Sequence, residues 1–136
     1  MDALINGIKV PRDLLGDLKE THLEESDDTS LRNSLEQDGY LFLKNVVEPE
    51  KIIRARNDIF KTLNEVKELK DPFLDGIASG ESIRDQIHKD RGVFWKNLSS
   101  TKSLRDVTNG NVLKSVFTRI FGSSAKGFDF IFLRAV

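Results

Sequence analysis

Four short patterns in this sequence have residue types and spacings that chemistry uses. His88-Lys89-Asp90 has the His-x-Asp spacing of a non-haem iron site, where two imidazoles and a carboxylate hold one face of the metal. The only other histidine, His22, lies far upstream and none follows His88, so the pattern is a ligand short. Its neighbours are charged and the surroundings glycine-rich, which fits a surface histidine better than a ligand. Ser99-Ser100-Thr101-Lys102 matches the Ser-x-x-Lys of serine acylases. The supporting motifs of that chemistry are absent, and the run serves well as the N-cap of a following helix. Gly122 and Gly127 have phosphate-loop spacing, yet Phe128-Asp129 stand where Lys and Ser or Thr are required. Phe94-Trp95, between Arg91 and Lys96, could stack on a base or a cation; core packing is the simpler use of two large aromatics. No catalytic, cofactor-binding or metal residue is assigned to this chain on these grounds.

The elements around these residues follow from periodicity. Asp28 or Thr29 can cap a short helix through Gln37, with Leu31 and Leu35 one turn apart. Asp38-Gly39 ends it, because Gly39 can take the positive φ of a helix exit, and Tyr40-Leu41-Phe42-Leu43 is expected as a strand. Pro49 suits the first turn of a helix. Ile52, Ile59, Leu63 and Val66 fall near one face, with Ile53 and Phe60 beside them, which predicts an amphipathic helix ending by Asp71-Pro72. Residues 71–100 read as irregular. A short helix is expected near 101–108 on Leu104 and Val107, and Asn109-Gly110 breaks the chain. Leu113, Val116, Phe117, Ile120 and Phe121 form a helical stripe closed by Gly122. Phe128, Phe130 and Phe132, with Ile131 and Leu133 on the other face, predict a strand that is apolar on both sides.

Composition bounds the rest. The chain has 136 residues, 38% apolar and 32% charged, so one core must come from a few dense segments. Of 22 acids and 21 bases, residues 1–30 hold eight acids and three bases, leaving 14 and 18 for the rest. This marks 1–28 as an acidic, loosely held N-terminal extension on a mildly basic body at 29–136. A net charge of −1 argues against a general nucleic-acid or acidic-membrane partner. With no cysteine, disulfides and thiolate sites are excluded. The start lacks a secretory signal and no stretch reaches the ~20 apolar residues of a membrane span, so a cytoplasmic protein is expected.

Three stretches together resemble the front part of the phytanoyl-CoA dioxygenase family. They are Leu35 to Val47 with Glu48-Pro49-Glu50 opening a long helix, Gly92-Val93-Phe94-Trp95 ahead of the Leu104 and Val107 helix, and Ile120-Phe121-Gly122 followed by a segment closing on Leu133-Arg134. The resemblance covers roughly residues 31–136. It implies an α+β fold, helices packed on a few strands, as the N-terminal portion of a double-stranded β-helix oxygenase. It also implies iron(II) and 2-oxoglutarate as cofactors, with hydroxylation of a small organic substrate. The family's ligands would follow the strand resembling Phe130–Arg134, so none maps onto this chain and neither cofactor is expected to bind it. His88-Lys89-Asp90 precedes the Phe94-Trp95 landmark and takes no ligand role.

A strand this apolar at the end of the sequence predicts a truncated domain whose chain is prone to self-association. Two alternatives stay open. One is a non-catalytic helical protein-interaction module with an exposed apolar patch, and the other is a degenerate family member without the histidines.

Overall fold

A computed structural model describes residues 3–129, 131 and 133, apart from the side chain of Arg91. The fold is mixed α+β, about half helical, with one small two-strand sheet among the described residues. Contacts divide the chain into two units, Met1–Lys44 and Asn45–Val136. No described helix is long and apolar enough to cross a membrane.

In the first unit β1 (Leu4–Ile5) and β2 (Ile8–Lys9) pair antiparallel, and a 3-10 turn follows at Arg12–Leu14. The acidic segment is therefore more structured than its composition predicts. Polar bonds hold it. The Lys19 N–H donates to the Tyr40 hydroxyl at 2.9 Å, Lys44 Nζ bonds Glu20 Oε2 at 2.7 Å, and the Thr21 N–H donates to the Phe42 carbonyl at 2.9 Å. Leu4, Ile5, Ile8, Leu14 and Leu18 remain exposed, so little of this order comes from apolar burial. Helix α1 spans Asp28–Asp38. Its cap is Asp27, not Asp28 or Thr29, because Asp27 is extended and its Oδ1 accepts the Ser30 N–H at 2.7 Å. Gly39 closes the helix at φ 74°, as the sequence predicts. The expected strand over Tyr40–Leu43 is reduced to one parallel bridge between Phe42 and Glu20.

The second unit is built on α2 (Pro49–Glu65), with Pro49 in its first turn. Its covered side follows the predicted stripe at the C-terminal end, where Ile59, Leu63 and Val66 pack, and departs from it near the start. Ala55, Leu63 and the capping Val66 are buried, while Ile52 and Ile53 stay half exposed. Ala55 lies one turn before Asp58, whose carboxylate accepts the Ser103 hydroxyl of α5 (Lys102–Thr108). The buried Ala55 and Ser103 are small, which lets the second helix approach α2 closely here. Helix α2 ends well before Asp71-Pro72, since Lys67 turns left-handed at φ 59°.

Residues 66–83 then form a loop laced to the end of α2. Ile83 donates to the Val66 carbonyl, Ser79 to that of Glu68 and Lys70 to that of Ile77, each at 2.9 Å. Two further helices occupy a stretch that reads as irregular: α3 (Arg84–Ile87) and α4 (Arg91–Ser99). Phe94 and Leu98 are buried at i and i+4 on α4, one face of a real helix. Leu63, Val66 and Phe94 make the buried core, with Ile59, Leu69, Ile83 and Trp95 packed around them. Helix α6 (Asn111–Phe121) ends at Gly122 as predicted. In the stretch predicted as a buried strand, none of the described residues Phe128, Ile131 and Leu133 is in a strand, and Phe128 is 88% exposed. Phe130 and Phe132 lie outside the described residues.

Candidate functional site

A groove of about 560 Å³ lies beside α2 in the second unit. Ile59, Phe60 and Leu63 come from α2, Leu69 and Ala78 from the laced loop, and Trp95 from α4. The bridge between Leu69 and Ala78 holds the loop wall in register. Gly76 sits at φ 69° against the Phe60 ring, which a Cβ there would overlap. Only glycine lets the backbone come that close.

A polar cluster borders the groove. Glu68 Oε1 accepts the Ser82 hydroxyl at 2.7 Å and a guanidinium N–H of Arg84. Both partners of the ion pair are largely covered, at 19% and 15% side-chain exposure for Arg84 and Glu68. The Arg84 guanidinium also lies 5.0 Å from the Phe94 ring centroid and 4.6 Å from that of Trp95. Its Nε is buried without a hydrogen-bond partner, so stacking and the single carboxylate hold it. Phe94 and Trp95 meet edge to face at 5.1 Å. The aromatic pair is thus core and cation platform together, and its cation is Arg84.

The motif residues have structural duties. The His88 ring leans on Phe94 with centroids 5.1 Å apart, and Asp90 caps α4 by accepting the Gly92 N–H at 2.7 Å. Ser99 Oγ donates to the Lys96 carbonyl at 3.0 Å, while Lys102 Nζ reaches Asp106 at 2.7 Å, so this serine and lysine serve different neighbours. Thr101 stands at the α5 N-cap position but its hydroxyl donates back to Leu98 O at 2.9 Å, so the predicted side-chain cap is not formed. Gly127 packs against the Asn109 amide, and Arg105 and Asn109 donate to the Phe128 carbonyl, each at 3.3 Å. No group of three or more metal-ligating side chains occurs among the described residues.

A second surface is formed by α6. Phe117 and Phe121 stack at 5.7 Å and are exposed, as is Phe128, while Val116 turns inward. Together with Leu113, Lys114 and Lys126 they line a smaller cleft of about 240 Å³. Sequence periodicity found the α6 stripe but gave no sign of which side of it is covered. Arg84 and Glu68 left no sequence signal at all, since loop closure alone joins them. Compared with known proteins, the chain matches no family model, no curated protein and no solved structure.

Proposed function

We propose that this chain is the N-terminal, helical part of an iron(II)- and 2-oxoglutarate-dependent dioxygenase of the phytanoyl-CoA dioxygenase type. In this reading the rest of the domain is a double-stranded β-helix, and the substrate is a small organic molecule. The supporting observation is the order of landmarks: Asp38-Gly39-Tyr40, the Pro49-led helix, Phe94-Trp95, then Ile120-Phe121-Gly122. They fall at the exit of α1, the start of α2, within α4 and at the end of α6. Iron does not fit the residues of this chain. His88 packs on an aromatic ring, Asp90 is spent as a helix cap, and no later histidine could complete a triad. The proposal therefore assigns both cofactors to residues outside this sequence and gives the chain the part of a buttress.

The test is to express the gene's longer reading frame and follow succinate formation from 2-oxoglutarate with iron(II) and oxygen. Metal-dependent succinate is expected from the longer product and none from the 136-residue chain. A frame that stops after Val136, or a longer product that binds iron without turning over 2-oxoglutarate, removes the reading. The uncovered phenylalanines of α6 favour a second reading, a non-catalytic interaction module. A stable protein complex of this chain, lost on Phe121→Ser, would favour it over the oxygenase.

A further inference from the structure

The groove beside α2 has an imbalance of charge as well as a shape. Its volume of about 560 Å³ lies in the range of small-molecule sites, roughly 300–1,000 Å³. Aliphatic and aromatic side chains make most of its wall, and the charged residues that line it are two acids, Glu68 and Glu81, with no lysine, arginine or histidine. Glu68 is neutralised by Arg84, which cannot turn to an anion without abandoning that carboxylate and its two aromatic rings. Glu81 is held through its backbone alone, its N–H donating to Ser79 Oγ at 3.0 Å and its carbonyl accepting from it at 3.2 Å. Among the described residues no cation pairs with the Glu81 carboxylate.

From this we infer that the groove binds an apolar molecule ending in a single positive charge, such as a hydrophobic amine. The hydrocarbon body would lie along Phe60, Leu69 and Trp95, with the ammonium at Glu81. A carboxylate or phosphate would meet an unpaired like charge and no free donor cation. The inference concerns this chain alone and stands whether or not the chain belongs to a dioxygenase.

Trp95 is the single tryptophan of the chain and lines the groove, so its emission reports occupancy. The full chain is titrated below micelle-forming concentrations with three probes of equal chain length: n-decylamine, n-decanol and n-decanoate. Decylamine should shift Trp95 emission at a concentration about 2–5-fold below decanol, with decanoate weakest, since Glu81 is exposed and one charge contact in water has an effect of only a few-fold. Glu81→Gln should erase the advantage of decylamine while leaving decanol binding intact, which also shows that the variant is folded. Ala78→Leu, which narrows the groove, should weaken all three, whereas Phe121→Ser on α6 should change none. The inference is overturned if decanoate binds as tightly as decylamine, if no probe moves the emission, or if Glu81→Gln keeps the preference. Succinate formation by the longer gene product is a separate readout, so failure here and failure of the oxygenase reading remain distinguishable.

Discussion

Two parts of the second unit use their aromatic residues in opposite ways. Around the end of α2, Phe94 is 3% exposed, Trp95 and Phe94 carry Arg84, and Phe60 fills the space that Gly76 leaves. On α6 and just beyond it, Phe117, Phe121 and Phe128 face water. The sequence patterns differ in the reverse sense, since α6 has the cleaner helical stripe and α4 was not predicted as a helix. The lesson is that apolar periodicity marks a helix and an orientation, but burial depends on what arrives from elsewhere in the chain. At α4 the 66–83 loop arrives; at α6 the 125–128 segment comes alongside but leaves Phe117 and Phe121 exposed.

The largest expected effect separates these regions by stability. Phe94→Ala should cost about 3–5 kcal/mol, the usual penalty for emptying a buried aromatic position. Set against a domain stability of roughly 5–15 kcal/mol, that brings the protein close to unfolding. Phe121→Ala, on a residue 64% exposed, should cost less than about 1 kcal/mol. Urea unfolding followed through Trp95 measures both, and equal costs would abolish the contrast.

The next effect tests whether the covered region depends on its ion pair. Arg84→Met keeps an apolar stem between the rings but strands the Glu68 carboxylate. We expect a loss of about 1–3 kcal/mol, below the 3–5 of a fully buried pair because both partners keep some exposure. Arg84→Met with Glu68→Leu should recover part of that loss. Strictly additive costs in the double-mutant cycle would mean that the pair is not coupled.

The exposed region makes its own prediction, in association. If Phe117 and Phe121 form a contact surface, the chain should self-associate in the micromolar range. The Phe117→Ser/Phe121→Ser variant should then weaken association by about 10-fold or more, since burying a phenylalanine contributes about 1.5–3 kcal/mol. Sedimentation of the two proteins decides it. A wild-type chain that stays monomeric at high concentration would show that this face is tolerated in water.

How much could be read in advance follows from the same physics. Helices α2, α5 and α6 and the left-handed Gly39 were legible because their signals are local: a 3.6 period, a proline at the start, a glycine at the end. Helix α4 was missed because the glycine-rich surroundings, Gly92 among them, read as irregular, Ser99-Ser100-Thr101 read as the cap of the next helix, and Asp90 was weighed as a ligand and not as a cap. The choice of Ala55 over Ile52 as the buried residue depends on the approach of α5, more than 40 residues away. The groove could not be read at all. Its walls come from α2, the loop and α4, and the pairing of Glu68 with Arg84 spans 16 residues without a repeating pattern.

The smallest expected effect concerns charge at the surface of the covered region, and its sign is fixed by linkage. The carboxyl of Asp106 is held below its ordinary value, first by the hydrogen bond from Lys102 and then by the charges of Lys102, Lys51 and Arg54. Lys51 and Arg54 belong to α2, so this carboxylate also senses charge across the α2–α5 contact. A depressed pKa means that the folded state prefers the ionised form. The contribution is complete above the unfolded carboxyl range, near pH ~3.9, and is lost as pH falls through the lower folded value. Asp106→Asn should therefore lower the melting temperature slightly at pH 7, and the difference from wild type should shrink toward zero at strongly acid pH. Salt should shrink it too, since the pair is solvent-exposed. Glu20, lowered chiefly by Lys44, is the matching exposed pair in the first unit. Glu20→Gln should show the same sign and the same convergence in acid, but its effect should not depend on Lys51 or Arg54. If Lys51→Ala changes the pH response of wild type and leaves that of Asp106→Asn alone, the α2–α5 contact carries the coupling. If it alters both equally, Asp106 answers to Lys102 alone and electrostatics add nothing to the packing of these two helices.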